Sequence, residues 1–197
     1  MLTQPVVAPG QDTVPNRPPA TNLEVMRSLA ERIGEKVGKL ISTHDAETVA
    51  VRVLPEETAW YVERSLLAGL LTQNVQLTSS GHSDMFAEFG LGNLHVAYAN
   101  IRRDGFLGSK LIDRKVTVLV SAKVLDQRAG NILVLKDFRE ERIDTLQLSE
   151  LENVENQNLE VTQGVIPGEG FFSNLAEPLV VLGAIAVAVY LLFSVRS

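Results

Sequence analysis

Three stretches of this 197-residue chain carry side chains able to do chemistry. His82 and Asp84 lie close together, with His95 further along. Imidazole and carboxylate suit zinc, but a tetrahedral site needs a fourth group, and nothing in this spacing supplies one. The carboxylates Glu140, Glu141 and Asp144 alternate with Arg139 and Arg142, and Arg102, Arg103 and Asp104 form a shorter version. Acid–base work would use such groups, yet alternating charge is the mark of a solvated, ion-paired face. The chain has no G-x-S-x-G, no H-E-x-x-H, no P-loop and no dinucleotide fingerprint. It also has no cysteine, which excludes disulfides, thiolate ligands and a lipidated thiol. A net charge of -6 with no basic run argues against a nucleic-acid partner. The expectation is a non-catalytic protein with no metal and no cofactor.

What such a chain would do instead is suggested by its tail, EPLVVLGAIAVAVYLLFSVRS. From Pro178 to Val195 there is no charge, and a helix over this run at roughly 1.5 Å per residue is about 27 Å long. That approaches the roughly 30 Å hydrocarbon core of a bilayer. Its aliphatic residues and Phe193 sum to roughly -3 to -7 kcal/mol on the insertion scale. The sequence therefore predicts a transmembrane anchor over 177–197, with Pro178, Leu182, Val189 and Leu192 among its membrane-facing positions and the lipid bilayer as a partner. Gly183, Ala184 and Ala188 make one side small enough for a helix contact, from which a homo-oligomer is expected. Arg196 is the basic residue at the tail, and Glu169 and Glu177 precede the span, so the positive-inside rule favours a soluble domain outside the cytoplasm.

The opposite end, residues 1–21, is a proline-rich leader without the apolar core of a secretory signal, read as extended and largely disordered. Two routes stay open: insertion from the cytoplasm by the tail, or a signal peptide upstream of Met1. The residues between the ends suffice for one domain, expected over 22–148, with a juxtamembrane tether over 149–176. Phe171 and Phe172 in the tether are expected near the bilayer interface.

Thr21 and Glu24 have capping-box spacing. Leu23, Met26, Leu29, Ala30, Ile33, Val37, Leu40 and Ile41 then recur at a helical period. VAVRVL reads as a strand, and Pro55 with Glu56 and Glu57 as the start of a helix carrying Trp60, Leu66, Leu67, Leu70 and Leu71 to a stop at Asn74. VQLT is a short strand, SSGHSDMFAEFGLGN the least regular stretch, and LHVAYANI a strand. In RKVTVLVSAKVL, Val116, Val118, Val120, Ala122 and Val124 share one face. DQRAGN turns the chain, and NILVLKDFREERI returns with Ile132, Val134, Lys136 and Phe138 alternating. Trp60, Leu66, Leu70, Val118 and Val120 are expected in one core. The fold class is α+β, a mixed or antiparallel sheet with two helices packed on it, plus one C-terminal transmembrane helix.

ETAWYVERSLLAGLLTQNVQLTSSG, a strand, and then RKVTVLVSAKVLDQRAGNILVLKDF, with its Asp126-to-Gly130 turn, resemble a group of bacterial envelope proteins over roughly residues 23–145. The group comprises the curli-secretion channel subunit, lipoprotein activators of penicillin-binding proteins, a flagellar outer-membrane lipoprotein and the amino-terminal domain of TolB. Its lipoproteins are anchored through a cysteine, which this chain lacks. The curli subunit also carries long segments that build a barrel, and no pair of amphipathic strands here has the roughly 10-residue alternating form to spare for one. What the resemblance implies is a protein partner in envelope assembly or secretion. The alternatives are a cytoplasmic tail-anchored adaptor and a homo-oligomeric scaffold.

Overall fold

The computed structural model describes residues 18–44, 46, 48–78, 83–105 and 108–167. Helix α1 (Asn22–Ser42) opens with the expected capping box: Thr21 Oγ1 accepts from the Glu24 amide, and the Glu24 carboxylate accepts from the Thr21 amide. Its buried stripe includes Val25, Met26, Leu29, Ile33, Val37 and Ile41, while Leu40 lies at the exposed margin. Strand β1 (Thr48–Val53) follows, then α2 (Trp60–Leu71), β2 (Gln76–Thr78), and the long strands β3 (Met85–Arg103), β4 (Lys110–Asp126) and β5 (Asn131–Gln147). A 3-10 turn at Leu148–Glu150 runs into the short helix α3 (Leu151–Val154).

The sheet has five strands in the order β2-β1-β3-β4-β5. β1 is parallel to both β2 and β3, whereas β3-β4 and β4-β5 are antiparallel, so the α+β sheet is mixed. Val116, Val118, Val120, Ala122 and Val124 all face the core, as the period of two requires. Beside them on the same face lie Met85, Ala87, Phe89, Leu94 and Val96 of β3, and the buried stripes of α1 and α2 belong to the same core. The helices cross closely because both are glycine at the contact. A Cβ on Gly34 would lie 2.1 Å from the Leu66 carbonyl oxygen, and one on Gly69 would lie 2.0 Å from that of Glu31.

Several expectations need correction. The second helix begins at Trp60 rather than Pro55, with turns before it. Its buried residues are Val62, Leu66, Gly69 and Leu70, a stripe on which Trp60 does not fall, so Trp60 is 62% exposed and not in the core. The second half of SSGHSDMFAEFGLGN is the start of β3, where Met85, Ala87 and Phe89 alternate inward. Gly90 and Gly92 disguised it, and a register shift between Leu91 and Asn93 interrupts the alternation there. Finally, within the segment 149–176, read as a tether, residues 149–162 pack against the domain. They fold back so that Leu151, Val154 and Thr162 are buried, and Val165 bridges to Ala97 in parallel fashion. The β4–β5 turn is as expected: Asp126 accepts from the amides of Arg128 and Ala129, and Gly130 takes φ +72°. A register shift at Val124/Leu125 breaks the alternation of β5, leaving Ile132 exposed while Phe138 is buried.

Candidate functional site

The anchor residues Pro178, Leu182, Val189 and Leu192, the helix-contact residues Gly183, Ala184 and Ala188, and the interfacial Phe171 and Phe172 lie outside the described residues. Among the described residues no helix is long and apolar enough to cross a membrane. His82 is likewise outside them. Asp84 instead accepts from the backbone amide of Thr48, at 3.1 Å, at the start of β1. His95 stands opposite Thr117 in the middle of the sheet. The structure does not bring Asp84 and His95 together, and no group of three or more metal-ligating side chains occurs among the described residues.

The charged run of β5 divides between two faces. Glu141 accepts from Lys115 and Arg139, which hold its carboxyl below the usual range. Glu140 and Asp144 point the other way, towards α1. Glu140 pairs with Lys36 and Arg32 of α1. Asp144 receives two hydrogen bonds from Arg114, Nε at 2.8 Å and Nη2 at 2.6 Å. Arg114 is only 1% exposed. Its Nη1 also donates to the carbonyl of Ala20 and to Oδ1 of Asn22, while Asn22 Nδ2 donates to the Tyr98 hydroxyl and the Thr162 carbonyl. This network ties the entry to α1, the three long strands and the returning C-terminal segment together. Burial pushes the Tyr98 hydroxyl up to about 12, although the Asn22 bond opposes the rise. Arg102 belongs to a separate surface group: with Thr145 and Asn100 it bonds Asp113 and holds that carboxyl below its ordinary range. These partnerships are structural, because each ionised group is neutralised by a fixed neighbour.

Sequence reasoning did not find this network, since Asn22 and Arg114 look like surface residues in their local patterns. The period of two in β4 was the available signal: Arg114 shares the inward parity of Val116 and Val118.

A hollow of about 990 Å³ lies at the entry to α1 and is lined by residues including Pro18, Thr21, Glu24, Arg142 and Glu150. Its charges are engaged: Glu24 in the capping box, Arg142 with Asp144, and Glu150 with the amide of Gln147. A different surface forms around the start of α2. Trp60 stacks on Tyr61 with ring centroids 3.8 Å apart. Leu54, 41% exposed, is the first residue of the β1–α2 connection. Between the sheet and α2 lies a small hollow of about 10 Å³ whose lining includes Val53, Val62, Glu63, Leu66, Phe89 and Val120 but not Trp60. An exposed tryptophan packed on a tyrosine can shed water against a partner.

No protein-family model matches the chain, and no curated protein matches it. Among solved structures it is similar to a minor lipoprotein from Acinetobacter baumannii at 15% identity, over 54% of this chain and 74% of that one, with a TM-score of 0.34. It is similar to lipoprotein GNA1162 from Neisseria meningitidis at 13% identity, over 70% and 98%, with a TM-score of 0.34. It is also similar to uncharacterized lipoprotein B from Nitrosomonas europaea at 17% identity, over 55% and 67%, with a TM-score of 0.32. The three are bacterial lipoproteins by name, and none is named as a curli-secretion subunit, a penicillin-binding-protein activator or TolB.

Proposed function

We propose that this chain is a membrane-anchored, non-catalytic interaction module of the bacterial cell envelope whose folded domain binds a protein partner in envelope assembly or secretion. The observation that carries the reading is the exposed Trp60, packed against Tyr61 at the start of α2. Tryptophan left 62% in water contributes little to its own fold, whereas aromatic residues in desolvated pockets dominate binding energy at protein interfaces. The internal pairing of Arg114, Asp144, Glu140 and Glu141 supports a non-catalytic role, because groups neutralised by fixed neighbours are poorly placed to exchange protons with a substrate. The apolar run from Pro178 supports the anchor.

A photo-activatable residue at position 60, introduced into the full chain in producing cells, tests the surface. A discrete protein adduct that disappears when the same probe is placed at the exposed position 129, in the β4–β5 turn, is the expected result. An absence of any adduct at position 60 would remove Trp60 as the contact. Protease protection on intact cells and spheroplasts tests the side of the membrane. Digestion only in spheroplasts fits the envelope reading, and protection in both would replace it with a cytoplasmic tail-anchored adaptor.

A further inference from the structure

β5 is the outer strand of the sheet, so one of its backbone edges has no strand partner among the described residues. From Asn131 to Gln147 it contains no proline and no glycine, the residues that commonly blunt such an edge. It also carries three strongly exposed apolar side chains, Ile132, Leu135 and Ile143. An edge of this length, charged and once bulged but without proline, accepts an added strand only where its charges are matched.

Charge selects the occupant. Suppose two copies continue one sheet about a two-fold axis perpendicular to it. Opposed residues then lie symmetrically about a central residue that faces its own copy. From Lys136 to Arg142 every residue except Phe138 is charged. Any other centre in this run would set a lysine, aspartate, arginine or glutamate against itself. About Phe138, Asp137 meets Arg139 and Lys136 meets Glu140, each pair occurring twice, while Leu135 meets Glu141 and Val134 meets Arg142. Opposite charges directly across a strand pair are favourable and like charges are not. Lys136 and Arg139 would deter an unrelated strand, yet they face carboxylates when the strand meets itself.

We propose that the β5 edge pairs antiparallel with β5 of a second copy, centred on Phe138, joining two five-stranded sheets into one. The assembly does not depend on a partner at Trp60 or on contacts between membrane helices. Within one copy Glu140 holds Lys36 and Arg32, Arg139 bonds Glu141 and Asp137 accepts from Ser121; Asp137 and Arg139 are both exposed, so that pair is the one to reverse.

The chain has no cysteine, so introduced thiols report alone. Full-length Leu135→Cys and Glu141→Cys proteins are purified separately in mild detergent and oxidised alone and as an equimolar mixture. Because position 135 of one copy opposes 141 of the other, disulfide dimers should form in the mixture and not in either protein alone. Adding Asp137→Arg to both should reduce the dimer about ten-fold, and adding Arg139→Asp as well should restore it. No dimer in the mixture, equal yields in mixed and unmixed samples, or a yield indifferent to the charge reversals would overturn the proposal.

Discussion

At the scale of single residues, the buried network around Arg114 shows how one charge can be placed in a core. Its guanidinium has two carboxylate oxygens, a backbone carbonyl and an amide oxygen as acceptors, so its donors are met by fixed partners. Tyr98 at the far end of the chain of bonds makes this testable by pH. Its hydroxyl is raised from the ordinary value of 10.0 to about 12, mainly by burial, so the folded state favours the neutral phenol. A group raised on folding contributes stability that is fully present below its unfolded value and lost as pH rises through its folded value. The domain is therefore expected to lose stability between about pH 10 and pH 12, beyond any loss shared by all proteins there. Tyr98→Phe should flatten that part of the profile, and thermal melts across the alkaline range, with phenolate absorbance recorded alongside, check it. An unchanged slope in Tyr98→Phe would show that another group governs the loss.

Elements depend on shape as much as on polarity. The apolar stripe of α2 accounts for its burial, but the close α1–α2 crossing depends on Gly34 and Gly69. Alanine at position 69 would gain roughly 0.8–1.0 kcal/mol of helix propensity over glycine. Its Cβ would meet the backbone of Glu31 at 2.0 Å, a contact that no side-chain rotation relieves. Overpacking of this sort typically costs about 1–3 kcal/mol, so Gly69→Ala should destabilise on balance. Leu71→Ala, on the exposed side of the same helix, should stay within about 0.5 kcal/mol. Urea titration of both variants measures the difference, and equal stabilities would mean that the helices can move apart without loss.

For the whole molecule, the arrangement of the ends matters most. Ala20 is bonded by Arg114, and Thr162 is bonded by Asn22, so the described segments leading from both termini meet at one pole of the domain. Val165 and Ile166, both exposed, continue from there towards the apolar run. A chain ending at Glu177 keeps every residue of this network, so deletion of Pro178 to Ser197 should release a folded, soluble protein from membranes. The full chain should resist salt and carbonate washing. Fractionation of the two forms provides the measurement. A truncated chain that still sediments with membranes would show that the tail is not the anchor, and one that aggregates would show that the tail belongs to the core.

Periodic signals were legible in the amino-acid sequence because each depends on near neighbours. The capping box of α1, the inward valines of β4, the Asp126–Gly130 turn and the α+β class follow from spacing alone. Tertiary structure decided the features that depend on distant partners. Trp60 belongs to an apolar helix yet faces water because the burial stripe of α2 is set by α1 and the sheet. The segment after Gln147 looks like a polar tether, but Leu151 and Val154 close the core and Thr162 meets Asn22 across most of the chain. Arg114 carries a charge in a core position because Asp144, Asn22 and Ala20 come from three other segments to receive it. No local pattern encodes such a meeting: its stability arises only when the strands and α1 have already brought donor and acceptors within hydrogen-bond range.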